Sequence, residues 1–433
     1  MTEKQADRFA LLMAAAVFAH NFARGYDIRG HSLMYLSDSL SILRPPIYPL
    51  FLDVMRHIFG AQGLAMAALV QTILAIWAVL FLARAIRKHF AITPIGFLFL
   101  LGVLFAPLLP VTTIHIDDPH LSTNILSESL AYPFMLFATG FMVKAIAAPT
   151  AATIMPAMLF NLAGVLTRAQ LIFLWPVTVC WLAALCFAKI LPLKRAAAFC
   201  AVAVLLALSG AGINRLYHKV ENGIFTSPPL GNWGLLTSLL YVSTPQDIAA
   251  LPETGDKPML EAIYARAQSL KALEYQRTYP LVEHFNGNYD NITWSSSHAV
   301  YNEINRANYA RGPEGDARLI YDLNKFSGRT AKMLLARKWK DYARLLAAKT
   351  YQVFGWLDLL VLAMFASGVV YRRDRDAGIF LAMAASIVVF NMCVLIPLNT
   401  IYGRYTLYND VFNLAVIVTL AARIPRDAIR ANN

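Results

Sequence analysis

Two aspartates in one polar stretch are the first residues of this sequence with the chemistry of a catalyst. Asp27 lies within residues 25–29, and Asp38 ends the stretch 35–38. An ionised carboxylate can take the proton of a substrate hydroxyl that lies within hydrogen-bond distance, and the nearby Arg29 would help to keep Asp27 ionised. Both aspartates are therefore candidate general bases. The alternative for Asp27 is a structural role at the start of a helix beside the membrane.

Three arginines are candidates for binding a phosphate. Arg404 lies beside Tyr405, Arg168 interrupts a long apolar stretch, and Arg44 precedes a Pro-Pro pair that leads to Tyr48. A planar guanidinium can bind a phosphate through two hydrogen bonds, and a departing phosphate needs its developing charge stabilised. The alternative for Arg404 is a side chain that extends to the membrane interface. Tyr48 and Tyr405 are candidates for contact with a substrate, or for the interfacial aromatic belt.

Residues 115–128 carry two further kinds of polar candidate. His115, Asp117 and Asp118 are close enough in sequence to bind a divalent cation together, and the alternative is a solvated, turn-forming loop. Glu128 stands near the start of an apolar segment, where a carboxylate is costly unless it faces a cavity. We therefore expect Glu128 to line a binding site.

The composition places these residues in a membrane protein. Of the 433 residues, 58% are hydrophobic and 15% are charged, whereas a soluble protein carries roughly 25% charged residues. A span needs roughly 20 mainly apolar residues, and such segments recur along the whole chain. We predict an all-α polytopic protein with about ten transmembrane helices. The predicted spans are 9–24, 62–83, 91–111, 126–146, 151–167, 170–188, 196–214, 352–371, 377–398 and 407–422.

The positive charges indicate the orientation of these spans. The net charge is +12, and short clusters of Lys and Arg follow alternate spans, so that all of them share one side if the count is ten. Such clusters are typical of cytoplasmic loops, which places both termini in the cytoplasm. No basic stripe lies on a soluble module, so we expect no nucleic-acid partner. No P-loop or Gly-rich dinucleotide turn occurs, so the motifs do not indicate a nucleotide ligand.

The junction 167–170 decides the number of spans. Read as one helix, residues 151–188 are longer than a bilayer needs, and the orientation of everything that follows would be reversed. An arginine at membrane depth is costly, so Arg168 should face protein or water. We predict two spans with a break at Arg168.

The spans divide the chain into three predicted parts. An N-terminal transmembrane module, 1–214, contains the first external loop, 25–61, within which a short helix over 47–59 lies along the interface. An external soluble domain, 215–351, is expected to consist mostly of short helices, with helical stretches at 257–275 and 328–350. A C-terminal transmembrane module, 352–433, follows.

Several of these motifs, in the order in which they occur along the chain, resemble those of the GT-C class of glycosyltransferases. Members of this class are membrane enzymes that transfer a sugar from a polyprenyl-phosphate carrier on the external face. The resemblance rests on an acid in the first external loop, the Arg-Pro-Pro-Ile-Tyr-Pro run 44–49 that ends the loop, an acid that opens the fourth span, the break at 166–168 and the Gly-Arg-Tyr at 403–405. It covers residues 1–190 well and 394–433 loosely.

The resemblance implies roles for the candidates. The loop-one carboxylate would be the general base, and its distance from the Pro-Pro run favours Asp27 over Asp38. Many members carry an adjacent Asp-Glu or Asp-Ser pair where this chain has Asp27 followed by Ile28. Arg404 and Arg168 would hold the donor phosphate. Some members bind a divalent cation near the carrier phosphate, and no other cofactor is implied.

The expected function is thus that of an inverting glycosyltransferase in a bacterial inner membrane. Its partners would be a polyprenyl-phosphate sugar donor, the lipid bilayer, and an acceptor that is a glycan, a glycolipid or a protein. One alternative is a transporter or flippase of lipid-linked glycans, whose sequence would show matched, broken spans in its two halves. The other is a different membrane enzyme such as an acyltransferase, which would need a His-centred motif.

Overall fold

The protein is an all-helical chain, as predicted. The computed structural model describes residues 1–28, 32–36, 38–109, 121–229, 231–398 and 403–423. Within these ranges no β-strand occurs, and two isolated β-bridges join Asp27 to Asn124 and Ile92 to Arg423.

The helices up to residue 222 include most of the predicted N-terminal spans. They are α1 (Glu3–Arg24), α2 (Leu33–Leu36), α3 (Ile47–Phe59), α4 (Gly63–Phe90), α5 (Pro94–Phe105), α6 (Ser127–Ala147), α7 (Ala151–Thr167), α8 (Leu174–Phe187) and α9 (Leu193–Asn222). The helix α3 has the bounds predicted for the interfacial helix. It exposes Leu50, Val54 and Ile58, which recur at every fourth position and so form one apolar stripe.

The remaining helices form the external domain and the C-terminal module of the sequence prediction. They are α10 (Gly231–Tyr241), α11 (Pro245–Ala249), α12 (Lys257–Ser269), α13 (Leu281–Asp290), α14 (Ala299–Asn305), α15 (Pro313–Val353), α16 (Trp356–Ser367), α17 (Val369–Arg373), α18 (Arg375–Leu398) and α19 (Gly403–Ala422).

Long apolar helices identify a helical membrane protein. Five segments of the described chain are long and apolar enough to cross a bilayer, or six if the bent pair α15 and α16 forms one span. The five are Ile47–Phe90, Ser127–Ala147, Ala169–Phe187, Leu193–Asn222 and Arg375–Pro397. Shorter apolar helices, Pro94–Leu108, Ala151–Thr167 and Thr406–Ala422, coincide with three more predicted spans. A total of ten therefore stays a prediction.

The chain breaks at Arg168, where the sequence predicted a break. Helix α7 ends at Thr167, and Arg168 has an extended backbone with φ −147° and ψ 115°. A 3₁₀ turn, Ala169–Phe173, then leads into α8. The side chain of Arg168 is therefore presented from a helix end, beside backbone groups that the helix does not pair.

The predicted single span 352–371 is wrong in its continuity. Helix α15 ends at Val353, and the chain bends by 92° before α16 begins at Trp356. A second interruption follows at Gly368, whose φ of 62° is a left-handed conformation that glycine adopts without strain. The two glycines at 355 and 368 thus divide the segment into three pieces.

The predicted external domain has its own buried apolar cluster, which includes Trp233, Tyr241, Leu260, Phe285 and Leu323. Its first helices are short, as expected, but α15 has 41 residues and contains the whole predicted stretch 328–350. The predicted stretch 257–275 is too long, because α12 ends at Ser269 and Lys271 follows with a positive φ of 54°.

Helix α6 is the centre of the apolar bundle. In the apolar stretch of α6 that could cross a bilayer, 78% of the residues are buried, more than in any other candidate span of the described chain. It packs mainly against α4 and α7. Close approach to α4 depends on Gly140, because a Cβ there would overlap the ring of Phe81. The N-terminal end of α6 is therefore held firmly, and the candidate site lies there.

Candidate functional site at the N-terminal end of helix α6

Asp27 is bound through its backbone to the segment that leads into α6. The Asp27 N–H donates to the Thr123 carbonyl at 3.0 Å, and the Ile125 N–H donates to the Asp27 carbonyl at 3.1 Å. Its side chain keeps 34% of its surface exposed, and Arg24 lies with a guanidinium nitrogen 3.8 Å from its carboxylate. The sequence named Arg29 as the helper, and Arg29 lies outside the described residues. Asp27 is thus a fixed, accessible carboxylate with a neighbouring cation.

Buried amide groups surround this bridge. Asn124, which pairs with Asp27 in the bridge, is fully buried, and in the described part of the chain neither of its side-chain amide atoms makes a hydrogen bond. Asn21 donates to the Ser122 hydroxyl at 3.1 Å, but its own carbonyl oxygen has no hydrogen bond among the described residues. A buried polar atom without a partner costs about 1–3 kcal/mol. These amides therefore suit a polar ligand or water.

Glu128 and Arg168 form a buried ion pair. Arg168 Nη1 lies 2.8 Å from Glu128 Oε2, and the side chains keep only 10% and 3% of their surface exposed. The same nitrogen donates to the Ser127 hydroxyl at 3.2 Å, and that hydroxyl is 3.2 Å from the Glu128 carboxylate. Glu128 lies in the first turn of α6, where the helix dipole favours a negative charge. Two residues singled out separately in the sequence are thus direct partners.

A row of side-chain amides extends this pair toward the C-terminal helices. Arg168 Nε donates to Gln170 Oε1 at 3.1 Å, and Gln170 Nε2 donates to Asn391 Oδ1 at 2.9 Å. Asn391 Nδ2 in turn donates to Asn409 Oδ1 at 3.0 Å. The row connects the break after α7 with α18 and α19, so Arg168 is fixed from both halves of the chain.

The segment predicted as the first external loop reaches the same cluster through Tyr35. The Tyr35 hydroxyl donates to Ser127 Oγ at 2.7 Å, and the guanidinium of Arg44 lies over the Tyr35 ring at 4.5 Å. Tyr48 is fully buried, contacts Tyr35 edge-on at 4.9 Å and accepts a hydrogen bond from Gln71 at 2.9 Å. Tyr48 therefore positions Tyr35 and presents no open surface of its own.

Helix α19 comes to the cluster at Tyr408. This tyrosine is fully buried within electrostatic range of Glu128, Arg168 and Tyr35, and its hydroxyl makes no hydrogen bond in the described part of the chain. Arg404 precedes it by one turn of the same helix. The side chains of the predicted residues Arg404 and Tyr405 lie outside the described residues.

Several other predicted site residues lie wholly or partly outside the described part of the chain. The side chain of Asp38 lies outside the described residues, although its backbone begins a 3₁₀ helix, Asp38–Leu43. The predicted metal ligands His115, Asp117 and Asp118 also lie outside them. Among the residues that are described, no group of three His, Cys, Asp or Glu side chains is close enough to hold a metal ion.

An apolar cleft of about 120 Å³ lies between α1 and α4, next to the Asp27 bridge. Its apolar wall includes Phe18 and Phe22, whose rings stack at 5.9 Å. At one end the cleft reaches Asn21 and Thr123, whose carbonyl binds Asp27. The cleft therefore joins an apolar surface to the polar cluster.

Sequence reasoning missed Asn124, Tyr408 and Gln170. The available signal was weak: each is a polar group close to an apolar span, as Glu128 is. The geometry unites an accessible carboxylate, a buried ion pair and buried amides at one end of α6.

Comparison of the chain with protein-family models, with curated proteins and with solved structures finds no match.

Proposed function

We propose that this protein is a GT-C-like glycosyltransferase, which moves a sugar from a polyprenyl-phosphate donor to an acceptor hydroxyl at the outer membrane boundary. The proposal includes ten spans in a bacterial inner membrane, with both termini in the cytoplasm. It rests on one observation. The segment 123–128 carries the bridge to Asp27 at one end and the Glu128–Arg168 pair at the other.

The two ends of this segment are close enough to serve one substrate. Asn124 and Glu128 are four residues apart, so their Cα atoms are separated by at most about 14 Å. In the proposal, a sugar phosphate headgroup contacts both ends at once. A carboxylate and a guanidinium from distant parts of the sequence are the two groups that transfer from a phosphate-linked sugar requires.

In the proposed reaction Asp27 is the general base. Its carboxylate takes the proton of the acceptor hydroxyl while the acceptor oxygen forms a bond to the anomeric carbon. The bond between that carbon and the phosphate oxygen breaks, and the polyprenyl phosphate leaves with the electron pair. Attack from the face opposite the phosphate inverts the anomeric configuration. Asp38 is the alternative base.

The arginines would stabilise the charge that develops on the leaving phosphate. Arg168 is fixed by Glu128 and Gln170, so its orientation costs little when a donor binds. Arg44, held over Tyr35, and Arg404 would complete the phosphate site. Because Glu128 already balances the charge of Arg168, these two arginines would supply the additional positive charge.

The apolar cleft between α1 and α4 would take the first part of the polyprenyl chain. The acceptor would bind from the side of residues 215–351. There an open groove of about 410 Å³ is lined by Arg215, Asn232, Asn324 and Phe225. Amides, a guanidinium and an aromatic ring are the groups with which proteins commonly bind the hydroxyls and the apolar face of a sugar.

The proposal is tested by a transfer assay in proteoliposomes with synthetic polyprenyl-phosphate mannose, arabinofuranose, glucose and aminoarabinose. We expect turnover with at least one donor, and a loss of about 10²- to 10⁴-fold in Asp27→Asn, because general-base catalysis has that magnitude. Asp53→Asn is the matched control, since Asp53 is 68% exposed on α3 and lies outside the cluster.

Undiminished turnover in Asp27→Asn would remove Asp27 as the base, and a loss confined to Asp38→Asn would transfer the role to that residue. Movement of an intact lipid-linked sugar across the bilayer, without transfer from any donor, would replace the enzyme by a transporter.

A further inference from the structure

A cavity of about 600 Å³ lies at the opposite end of the bundle from the candidate site. It opens between the C-terminal ends of α4 and α6, and its wall includes Trp77, Phe81, Arg84, Lys88 and Lys144. Glu128 and Lys144 are 16 positions apart on one helix, which corresponds to about 24 Å along its axis. The two sites therefore face opposite sides of the membrane-spanning region.

The three cations of this cavity have no anionic partner among the residues that the structure describes. In the described part of the chain, Arg84, Lys88 and Lys144 make no ion pair, and Lys144 instead places its Nζ 4.0 Å from the centre of the Phe81 ring. Arg87, one turn away, differs because it binds the Asp7 carboxylate at 2.8 Å. The basic charge at the end of α4 is thus partly structural and partly uncompensated.

Most of the remaining cavity wall is apolar and aromatic, and its polar members are Thr153 and His89, whose Nε2 lies 3.5 Å from the Asp376 carboxylate. Trp77 keeps 61% of its surface exposed although it lies more than two turns inside α4. It packs edge-on against Phe137 at 5.2 Å, and Phe81 packs against the same ring at 5.5 Å. An exposed tryptophan above a basic rim suits a ligand with an apolar chain and an anionic head.

We propose that this cavity binds the headgroup and the first acyl carbons of an anionic phospholipid. The phosphate would lie among Arg84, Lys88 and Lys144, and an acyl chain would lie along Trp77 and Phe81. A basic pocket between membrane helices is the geometry by which anionic lipid headgroups are bound. The aromatic wall argues for a lipid over free phosphate, which would gain nothing from it.

The test is native mass spectrometry of the full-length protein in detergent, titrated with phosphatidylglycerol or phosphatidylcholine of the same acyl composition. We expect preferential binding of phosphatidylglycerol. We expect the double variant Arg84→Gln/Lys88→Gln to weaken this binding roughly ten- to thirty-fold, because each cation near a membrane surface contributes substantially to the attraction of an anionic lipid.

The matched control is Lys194→Gln/Arg195→Gln, which removes the same two charge types from the exposed start of α9. This control should retain the affinity for phosphatidylglycerol, and equal losses in both double variants would reduce the effect to net charge and overturn the proposal. Trp77→Ala should weaken binding of the lipid several-fold and leave binding of soluble glycerol phosphate unchanged.

If glycerol phosphate or inorganic phosphate binds as tightly as the lipid, and Trp77→Ala changes neither, the cavity is a site for a free anion and the lipid proposal is wrong. These readouts use lipid binding alone. The proposed transferase activity can therefore fail while this inference stands, and the reverse is also true.

Discussion

Glu128→Gln should destabilise the protein strongly, although it changes one atom type and almost no volume. The substitution removes the negative charge that compensates Arg168, and both side chains are at least nine-tenths buried. Removing one partner of a buried ion pair leaves an uncompensated charge, at a cost of about 3–5 kcal/mol. Arg168→Gln should cost a similar amount, because it leaves the Glu128 carboxylate without its cation.

The double variant Glu128→Gln/Arg168→Gln separates this explanation from simple loss of packing. Two neutral amides can hydrogen-bond to each other, and replacing a buried pair as a whole is often close to neutral. If the two single effects were independent, the double variant would lose about 6–10 kcal/mol, which approaches the whole stability of a typical protein. We expect the double variant to lose much less stability than this sum. Its loss should stay well below the loss of the more damaging single variant plus about 1 kcal/mol.

The assay is reversible unfolding in mixed micelles, followed by circular dichroism, for the wild type, both single variants and the double variant. The exposed pair Arg266–Glu303, at 3.1 Å and with 42% and 57% of the side-chain surfaces exposed, provides the matched control. Its coupling energy should not exceed about 1 kcal/mol. Additive losses at 128 and 168, within about 0.5 kcal/mol, would refute the ion pair as described.

Two further predictions concern helix packing and pH. Gly96→Ala should destabilise the protein by about 1–3 kcal/mol, because an added Cβ would overlap α19. Gly102→Ala on the same helix meets open space and should cost nothing. Thermal unfolding of both variants checks this prediction, and equal effects would contradict the contact. Burial alone would raise the pKa of Asp247, but hydrogen bonds from Thr244 and the ion pair with Lys338 hold it below its usual value. This stabilisation is present above about pH 4 and is lost as the pH falls through the lowered folded-state pKa. Asp247→Asn should therefore be less stable than the wild type at pH 7 by about 1 kcal/mol and should match the wild type in strong acid. A difference in stability that persists in acid would contradict the lowered pKa of Asp247.

The elements that the sequence predicted well are those set by local composition. The break at Arg168 could be predicted because residues 151–188 are longer than one span needs and an arginine at membrane depth is costly unless it faces protein or water. The bend after Val353 could not be predicted, because the sequence around Gly355 is mostly apolar and a glycine in a span is compatible with a continuous helix. The length of α15 was also hidden, since its turns in the predicted external domain carry mixed polar residues without a single apolar period.

The candidate site was predicted in its parts but not in its connections. Glu128 and Arg168 were each singled out for the cost of a charge in an apolar segment, yet nothing local indicates that they are partners. The bridge between Asp27 and Asn124 joins residues 97 positions apart. Such contacts depend on how α1, α4 and α6 pack, and that packing is fixed by the whole set of buried side chains.

The most direct test of the proposed site is photolabelling with a polyprenyl-phosphate sugar that carries a diazirine beside the phosphate. The protein in proteoliposomes would be irradiated, and the labelled peptides would be located by mass spectrometry, with unlabelled polyprenyl phosphate as the competitor. We expect label within residues 24–28, 121–130 and 168–173, and we expect the competitor to remove it. Label restricted to the basic end of α4 and α6, or label that the competitor does not affect, would contradict a donor site at the N-terminal end of α6.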